Sequence, residues 1–590
     1  MGNEELSNLR HSAEHVLHQA LLNLYPNDYL LPAMGPATED GFYMDIDLPV
    51  NVEISDKDFP RIEAEMQKII NQNLPITRQE VSWDEAYKMF LENPYKLEWL
   101  EEIKNRHEKV TIYYTGEKFV DLCAGPHASS TGKIKAFKLL TVAGAYWHGN
   151  EKNKMLTSIY GTAFGSKEDL NDFLKRQEEA EKRDHRKLGK ELGLFVFSDL
   201  IGKGLPTFSP KGATVKRELE RFAIDEELKR GYYHVVTPDL AKVDLYKKSG
   251  HYPYYKDTMY PIMKVEEEEL ILKPMTCPHH FMFYKSQSHS YKELPYKMAE
   301  IAHQYRYEKS GELSGLTRVR MFCLADAHII CSSDQTKQVV KEVLDLIDFA
   351  NQTFGMIKGA DYRYRLSLGD KEDTKKYYKD DAAWDLAEKT LREVLTELKA
   401  PFFEAQNEAA FYGPKIDIQV KNASGKEETA FTVQYDFVMP ERFDLTFINE
   451  KGNEERPVVI HRSSIGCLER TVAFLIEKYA GAFPVWLSPV QTVIIPIADR
   501  HANYAKEVEK KLKDANIRVE VDNRSETMQA RLRDAQLQKV PYMLIAGDKE
   551  IESKTVAVRL RTGEKVNPLP IGDFISKARN LILTRSLLLW

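Results

Sequence analysis

The stretch that decides the fold is residues 275–329, and its second half reads AEIAHQYRYEKSG (299–311), GELSGLTR (311–318) and VRMFCLADAHI (319–329). Both flanks of this run are rich in Tyr, Val and Phe, which strands favour. Gly311 and Gly315 supply turn chemistry in the middle. These features predict a long antiparallel hairpin.

Arginine side chains gather along this predicted hairpin. Arg306 closes the first strand with Glu308 two residues on, and Arg318 and Arg320 stand at alternate positions where the return strand begins. Residues two apart on a strand share a face, so several guanidiniums would converge. Such a cluster repels itself unless an anion binds, and planar guanidiniums suit phosphate oxygens bidentately. Ordinary surface arginines on a solvated loop are the alternative, and charge alone does not separate the two.

Composition limits the class of protein. At 590 residues the chain is long enough for three or four domains, and a hydrophobic content of 43% can build real cores. The net charge of −7 indicates no polyanion partner for the molecule as a whole, so any nucleic-acid surface must be local. Five cysteines without a CxxC pair, no signal peptide and no long apolar run together predict a reducing, cytoplasmic location.

A possible metal or hydrolytic site lies near the start of the chain. LRHSAEHVLHQALLNLY (9–25) puts His11 and His15 one turn apart beside an apolar stripe, which predicts a helix. Cys123 and His127 in FVDLCAGPH are also four apart, but the Gly-Pro between them keeps both on a loop. By plain coordination chemistry, four such ligands together would suit zinc.

The rest of the chain divides into further segments. Residues 167–192 are strongly charged with apolar residues at helical spacing, which predicts a solvated connector helix. A helix at 213–230 and a strand ending at Pro238 follow. Residues 487–590 alternate as β-α-β-α-β-β, a small α/β domain. Its 18 basic and 13 acidic residues give a charge of +5 against −12 for the remainder, which fits an RNA-facing surface.

The motifs together resemble those of one enzyme family. HQYRYEKSG followed by TRVR is similar to the second signature motif of class II aminoacyl-tRNA synthetases. KPMTCPHH, DAHI, AFYGPKID, VIHRSSIGCLER and VPYMLIAGDKE are similar to motifs of the threonyl-tRNA synthetase family, in the family's order. The resemblance implies a multidomain α+β and α/β protein with an antiparallel catalytic sheet, and a homodimer. The family's small N-terminal ubiquitin-like domain has no counterpart in this sequence.

The resemblance also implies three domains and an activity. An editing domain at 1–180 would lead through the connector helix to about residue 192, a class II catalytic domain would span 193–483, and an anticodon-binding domain would span 487–590. The implied reaction is the ATP-dependent activation of L-threonine and its transfer to the 3′ end of tRNA(Thr), with hydrolysis of mischarged seryl-tRNA(Thr).

Family positions in the catalytic domain map onto particular residues. Cys277, His328 and His461 would bind one Zn²⁺ with an open fourth position, although no spacing rule would find them. The arginines that would hold the α-phosphate, the triphosphate tail with Mg²⁺ and the γ-phosphate of ATP are Arg306, Arg318 and Arg470. The residues that would line the threonine and adenylate pocket are Tyr412, Lys415, Gln434, Asp326 and Glu308.

An open zinc site can reject valine but not serine, and this limit gives the editing domain its purpose. Threonine has a hydroxyl where valine has a methyl, and only a pocket that must pair with the hydroxyl rejects valine strongly. A zinc that takes the amino nitrogen and the hydroxyl would do so. Serine keeps the hydroxyl, and losing one methyl changes binding by only roughly 1–3 kcal/mol, so a second, hydrolytic site is expected.

The resemblance also implies which residues of this sequence serve in editing and in anticodon binding. The implied editing residues, which would position water and the ester without a firmly held metal, are His11, His15, Cys123, His127, Asp121 and Lys96. The implied anticodon residues are Glu550, Arg559, Arg524, Arg533 and Lys539. Two departures from the family pattern stand in the catalytic domain, where Leu324 replaces a glutamine near the substrate and Cys467 replaces a serine.

Two other functions stay open. A non-catalytic relative would use the C-terminal domain to bind structured mRNA or a partner, and the N-terminal cluster alone would serve a free metallohydrolase. The chain keeps the phosphate-binding arginines and all three zinc ligands, which favours the ligase, because a non-catalytic relative has no reason to keep them.

Overall fold

A computed structural model describes residues 2–25, 30–150 and 152–590 of the chain. The chain forms two compact units, residues 1–178 and residues 179–590. Among the described residues, no helix combines the length and hydropathy that a membrane crossing requires.

The first unit packs helices on two antiparallel sheets. Its helices are α1 (Asn3–Leu24), α2 (Phe59–Asn71), α3 (Trp83–Met89), α4 (Pro94–Asn105) and, continuing into the second unit, α5 (Lys167–Arg183). Its strands are β1 (Leu31–Met34), β2 (Phe42–Asp47), β3 (Ile76–Val81), β4 (Val110–Thr115), β5 (Phe119–Leu122), β6 (Ala136–Tyr146) and β7 (Met155–Phe164). The sheet orders are β1-β2-β7-β6 and β3-β4-β5.

The sequence of α1 explains where the first unit buries its core. Ala13, Val16, Leu17 and Leu21 recur at helical spacing, and all are fully buried in a cluster with the larger sheet. The predicted helix is confirmed, and so is the loop position of Cys123, which follows β5 directly.

The second unit begins with a large mixed sheet. Its strands up to residue 467 are β8 (Phe195–Val196), β9 (Thr207–Phe208), β10 (Tyr233–His234), β11 (Leu240–Lys242), β12 (Met263–Val265), β13 (Glu268–Leu272), β14 (Tyr296–Tyr305), β15 (Met321–Cys331), β16 (Tyr362–Ser367), β17 (Phe402–Ala405), β18 (Lys415–Lys421), β19 (Glu427–Asp436), β20 (Phe447–Ile448), β21 (Glu454–Glu455) and β22 (Val458–Cys467). Eight of them form one sheet in the order β10-β14-β15-β22-β19-β18-β16-β17, which is antiparallel except at its two edge pairs.

Helices cover both faces of this sheet. They are α6 (His185–Glu191), α7 (Pro210–Lys229), α8 (Val243–Ser249), α9 (His251–Tyr254), α10 (Cys277–Lys285), α11 (Thr336–Thr353), α12 (Asp381–Glu397), α13 (Met439–Phe443) and α14 (Leu468–Tyr479). Alternation along β15 divides the faces, because Ala325, Ala327 and Ile329 join the main core with α7, α11, α12 and α14, whereas Ile330 joins a separate cluster with α10 and α13. Asp326 and His328 share the second face.

The predicted hairpin is confirmed, but its strands are shorter than expected. β14 and β15 pair antiparallel from Tyr296 opposite Ile330 to Tyr305 opposite Met321. The first strand ends there because the backbone N–H of Tyr307 donates to the carbonyl of Thr258 and leaves the ladder. The prediction that Arg306, Arg318 and Arg320 lie on strands is therefore wrong, since all three lie in the connecting loop.

Two further predictions need correction. The connector is two helices rather than one, because α5 ends at Arg183 and the Asp184 carboxylate accepts the N–H of Arg186 to start α6. The strand expected to end at Pro238 is only Tyr233–His234, and the helix before it, α7, starts three residues early with Pro210 in its first turn.

The C-terminal part is a five-stranded sheet with helices. Its elements are β23 (Thr492–Pro496), α15 (Ala502–Asp514), β24 (Val519–Val521), α16 (Met528–Leu537), β25 (Tyr542–Ala546), α17 (Asp548–Ser553), β26 (Thr555–Leu560), β27 (Lys565–Pro570) and α18 (Ile571–Leu583). The strand order is β24-β23-β25-β26-β27, parallel over the first three. The predicted β-α-β-α-β-β order is confirmed, but it omitted α17, β27 and α18.

Candidate functional site

One thiol and two imidazoles meet on the second face of the large sheet. Cys277 is the first residue of α10, and His328 on β15 pairs directly with His461 on β22. All three are buried, and their potential ligand atoms lie within 4.8 Å of one another. Sheet pairing joins His328 and His461, which are 133 positions apart in the sequence, and α10 brings in Cys277 from 51 positions before His328.

These residues suit a divalent cation such as zinc. Sulfur and imidazole nitrogen are its preferred donors, and three of them leave one position open. Burial, with the Asp326 and Asp436 charges nearby, raises the pKa of the Cys277 thiol well above its ordinary value, and burial keeps the pKa of His328 well below its own. His328 therefore offers a neutral ring nitrogen.

Four of the expected site residues lie in one row across the sheet. Lys415 on β18 is opposite Gln434 on β19, Gln434 is opposite His461, and His461 is opposite His328. We call these four residues the site row. Tyr412 stacks on the His461 ring with centroids 5.1 Å apart and hydrogen-bonds to Gln434.

Carboxylates surround this row. Asp436 Oδ2 lies 2.7 Å from Nε2 of His461, and Lys415 pairs with Asp417 at 2.9 Å. Asp326, next to His328 on the same face, is buried, and that burial raises its pKa. Sequence reasoning missed Asp436, although its place two residues after Gln434 on a strand gave a signal for the same face.

The arginines converge at the loop that joins β14 to β15. Arg306 lies over the ring of Phe322 at 5.2 Å, and its pKa is lowered, first by desolvation and also by the nearby Arg470 charge. Arg318 pairs with Glu308 at 2.8 Å and with Glu312 at 3.2 Å. Neighbouring carboxylates thus offset part of the positive charge that the sequence led us to expect.

Arg470 is fixed by backbone oxygens. It lies in the first turn of α14, and its Nε and Nη1 donate to the carbonyls of Thr317 and Thr429 at 3.1 and 2.9 Å. The contact with Thr317 joins this arginine to the loop that carries Arg318.

His185 supports the same loop and was not found from the sequence. Its Nδ1 lies 2.7 Å from Oε1 of Glu477, and its Nε2 accepts the N–H of Leu316 at 3.0 Å. Gly315 has a φ of +46°, and a Cβ there would lie 2.1 Å from Nε2 of His185. The loop can adopt this turn because residue 315 has no side chain.

The two departures from the family pattern are neighbours in space. Leu324 on β15 is directly opposite Cys467 on β22. The Cys467 thiol donates to Oε2 of Glu469 at 3.4 Å. The two replacements that the sequence suggested are therefore adjacent across the pair of strands β15 and β22.

A second cluster forms in the first unit. The potential ligand atoms of His11, His15, Cys123 and His127 lie within 4.8 Å of one another. The Cys123 sulfur is 3.3 Å from Nε2 of His11 and 3.2 Å from Nε2 of His127. Burial raises the pKa of Cys123 to about 12 and lowers that of His15 to about 3. At neutral pH the cluster therefore presents a thiol and neutral imidazoles.

Asp121 forms buried polar contacts next to this cluster. It forms a buried pair with Lys96 at 2.7 Å, and its other oxygen is 3.3 Å from Nδ1 of His18. Sequence reasoning missed His18, although it falls on the same helical face as His11 and His15. The cluster therefore adjoins a buried ion pair, whose Asp121 charge acts on His11, His15 and His127.

The five expected anticodon residues are spread over the C-terminal domain. Arg524 pairs with Asp522 and Asp534, and it lines a cavity of about 350 Å³ together with Lys539. Arg533 lies on α16 and Arg559 on β26. Glu550, on α17, accepts the Gly547 N–H at 3.0 Å and so caps its own helix.

Family comparisons agree with this organisation. The chain matches the family described as tRNA synthetase class II core domain (G, H, P, S and T) over residues 260–479. It matches the Anticodon binding domain over residues 491–581, and the Threonyl and Alanyl tRNA synthetase second additional domain over residues 110–160.

Individual proteins are similar over nearly the whole chain. Threonine–tRNA ligase of Anoxybacillus flavithermus is 52% identical over 97% of this chain and 88% of its own length, and that of Listeria monocytogenes is 51% identical over 97% and 89%. Among solved structures, the RNA binding domain of threonyl-tRNA synthetase from Cryptosporidium parvum has a TM-score of 0.64 at 35% identity, covering 67% of this chain and 98% of that one. A putative threonyl-tRNA synthetase from Aeropyrum pernix has a TM-score of 0.61 at 28% identity, covering 68% and 97%.

Proposed function

Because the chain belongs to the threonine–tRNA ligases, which are class II aminoacyl-tRNA synthetases, we propose that the site row and the loop bearing Arg306 and Arg318 form its threonine-activating site. The family uses ATP with Mg²⁺ to join threonine to tRNA, and its editing domain removes wrongly attached amino acids. The observation that carries the assignment is the meeting of Cys277 with His328 and His461 at one end of the site row.

The site row recognises the amino acid. Zn²⁺ held by Cys277, His328 and His461 would supply an open Lewis-acid position for the amino nitrogen and the hydroxyl of threonine. Buried Asp326 lies on the same face and can accept a hydrogen bond from the amino group of threonine, whereas Tyr412 packs over His461 and excludes water. A site built to pair with a hydroxyl rejects valine by roughly 10⁴-fold or more.

Activation needs positioning rather than a side-chain nucleophile. The threonine carboxylate attacks the α-phosphorus in line, an acyl–phosphate bond forms, and the bond from the α-phosphorus to the bridging oxygen of the β-phosphate breaks, so that pyrophosphate leaves. Mg²⁺ would supply charge neutralisation for the leaving phosphates. Arg306 neutralises charge at the α-phosphorus, and Arg318 and Arg470 hold the leaving phosphates. The carbonyls of Thr317 and Thr429 orient Arg470 before ATP arrives.

The cluster around Cys123 removes serine. His11, His15 and His127 are neutral at working pH because burial lowers their pKa values, so their rings can hydrogen-bond to a water. We assign acceptance of its proton to His11, because burial lowers the pKa of His15 to about 3 and makes that ring a weak base. Hydrolysis breaks the ester bond between serine and the tRNA 3′ end and forms a new bond from the water oxygen to the carbonyl carbon. We assign to Lys96 and Asp121 the role of orienting the side chains of this site.

The remaining assignments concern RNA, assembly and location. The C-terminal domain reads the anticodon, with Glu550, Arg559, Arg524, Arg533 and Lys539 as its proposed contacts. For Glu550, capping of α17 is the structural alternative to a contact with the anticodon. The editing domain ends at 180 with the connector to about 192, the catalytic domain covers 193–483, and the protein acts in the cytoplasm.

Pyrophosphate exchange tests the activity most directly. We expect exchange with threonine, weaker exchange with serine, and exchange with valine reduced by roughly 10⁴-fold. No exchange with any of the three would favour a non-catalytic RNA-binding relative. Equal exchange with valine and threonine would contradict the proposed recognition of the hydroxyl.

The Gly315 turn gives a prediction for ATP binding. Gly315→Ala would strain the backbone by roughly 1–3 kcal/mol and push against His185, which displaces the loop. We therefore expect the KM for ATP in pyrophosphate exchange to rise about tenfold, since about 1.4 kcal/mol is a factor of ten. Gly311→Ala is the matched control, because its Cβ would meet open space. Equal effects of the two variants would contradict this role for the turn.

Exposed apolar residues near α7 support the proposed homodimer. Tyr233 and Val236, three residues apart just after α7, are 60% and 95% exposed, and Leu200 is fully exposed, so these apolar side chains are available for burial against a partner. Val236→Asp would place an unpaired charge in the interface. We therefore expect the dissociation constant of the dimer, measured by analytical ultracentrifugation, to rise about 100-fold. Val50→Asp, at an equally exposed valine in the first unit, should leave the mass unchanged. A monomeric wild-type protein at micromolar concentration would refute the dimer.

A further inference from the structure

His280 connects the proposed metal site to a buried carboxylate. It lies on α10, one turn after Cys277, and is completely buried. Its Nδ1 is 2.8 Å from Nδ1 of His328, and its Nε2 is 3.2 Å from Oε2 of Glu300 on β14. A continuous chain of hydrogen bonds therefore runs from Glu300 through His280 to His328.

Glu300 can only accept hydrogen bonds in this chain. Burial alone would raise its pKa, but the hydrogen bond from His280, the N–H and hydroxyl of Thr237 and the Lys273 charge bring it down to about 2. The carboxylate is therefore ionised at neutral pH, and the ring nitrogen that faces it must donate.

The direction of each proton follows. A neutral imidazole carries one N–H, so a His280 that donates from Nε2 to Glu300 accepts at Nδ1. For a singly protonated His280, the 2.8 Å contact between the two Nδ1 atoms therefore has His328 donate from its own Nδ1. His328 is left with a lone pair on Nε2, which is the atom that can bind a metal.

The other imidazole ligand has a shorter support. His461 Nε2 contacts Asp436 directly at 2.7 Å, so its Nδ1 is the atom left for a metal. An outer hydrogen-bond partner of this kind fixes the tautomer and the ring orientation of a metal-binding histidine. His461 therefore uses a carboxylate directly, whereas His328 reaches one through a second imidazole.

We propose that His280 and Glu300 are positioning residues for His328, which hold its ring in the tautomer and orientation that bind the metal. This inference rests on the proposed metal site. The side chains of Glu300, His280 and His328 are buried where apolar side chains would pack at lower desolvation cost. Filling space alone therefore does not explain why polar side chains occupy these positions. Lys273, also fully buried and 3.6 Å from Glu300, completes the charge balance.

Zinc affinity of the full-length protein tests the proposal. Competition between Zn²⁺ and a chelator should show about 10- to 100-fold weaker binding for His280→Leu, which removes the acceptor for His328. His280→Asn should restore most of the affinity, because its side-chain oxygen takes the place of Nδ1 and accepts the same proton. His279→Leu is the matched control, since the adjacent His279 packs against Tyr246 and does not hydrogen-bond to His328.

The possible outcomes separate the proposal from its premise. If His280→Leu binds Zn²⁺ as the wild type does, the positioning role is wrong while the metal site stands. If His279→Leu loses as much affinity as His280→Leu, packing explains the effect and the proposal is overturned. If the wild type binds no Zn²⁺, both the metal site and the positioning role fail.

Two further measurements guard against misfolding. Hydrolysis of seryl-tRNA by each variant reports on a site in the other compact unit and should not change. Should His280→Leu fail to fold, Glu300→Gln decides, because an amide keeps the oxygen acceptor but loses the charge. We expect Glu300→Gln to weaken Zn²⁺ binding by a smaller factor, and wild-type affinity in this variant would overturn the proposal.

Discussion

Cys277→Ala should lose threonine-dependent pyrophosphate exchange by roughly 10³-fold or more. A Lewis-acid site supplies several kcal/mol of charge stabilisation, and each 1.36 kcal/mol corresponds to a factor of ten in rate. Cys277 is one of only three donors, so two imidazoles alone would hold the cation poorly. Removal of the metal from the wild type with a chelator should reproduce the loss.

Cys331→Ala is the matched control for this variant. Cys331 is also a fully buried cysteine, on β15 only three residues after His328, but its side chain joins the main core on the opposite face. It should keep exchange activity even if its unfolding temperature falls. Equal losses in the two variants would point to packing, and a fully active Cys277→Ala would remove the metal from the mechanism.

The valine reaction gives this prediction a second readout. If the metal reads the hydroxyl, Cys277→Ala loses most of its activity with threonine and little with valine, so the preference between them should shrink from roughly 10⁴-fold towards unity. An unchanged preference in a weakened enzyme would show that a polar side chain such as Asp326 recognises the hydroxyl instead.

Local patterns predicted elements better than they predicted sites. The β-favouring residues on either side of the Gly311 and Gly315 turn, and the helical spacing of Ala13, Val16 and Leu17, are local, so the hairpin and α1 could be predicted from them. The site row depends on pairing between β18, β19, β22 and β15, which are far apart in sequence. Only the family resemblance pointed to Cys277, His328 and His461.

The missed elements have physical reasons. β27 contains Pro568 and Pro570, which argue against a strand, but it is the edge of its sheet, where a missing N–H breaks no ladder bond. His280 stands in a His-His pair, and nothing local separates it from His279. Its importance depends on Glu300, twenty residues later, which reaches it only after β14 joins the sheet.

His11→Ala should slow hydrolysis of seryl-tRNA(Thr) by roughly 10²- to 10⁴-fold, the usual contribution of a general base. The Nδ1–H of His11 donates to the carbonyl of Pro126 at 3.2 Å, which leaves Nε2 as an acceptor 3.3 Å from the Cys123 sulfur. Charging with threonine should be unaffected, because the proposed activating site lies in the other compact unit. In the presence of serine, mischarged tRNA should therefore accumulate.

The pH dependence follows from burial. Burial is the largest influence on the pKa of His11 and holds it below its ordinary value of about 6.5. The neutral, proton-accepting form thus persists below that pH, and hydrolysis should stay constant from pH 8 to about 6.5 and decline only as the pH falls further. A decline that begins above about pH 6.5 would contradict this assignment.

The same experiment separates a water-positioning cluster from a metal site. Ser7→Ala, at an exposed position one turn before His11 on α1, should hydrolyse seryl-tRNA(Thr) at the wild-type rate. A chelator should leave hydrolysis intact if the imidazoles act directly, even while it abolishes threonine activation. If the chelator stops both reactions, the four donors around Cys123 hold a cation, and His11 then acts as its ligand rather than as the base.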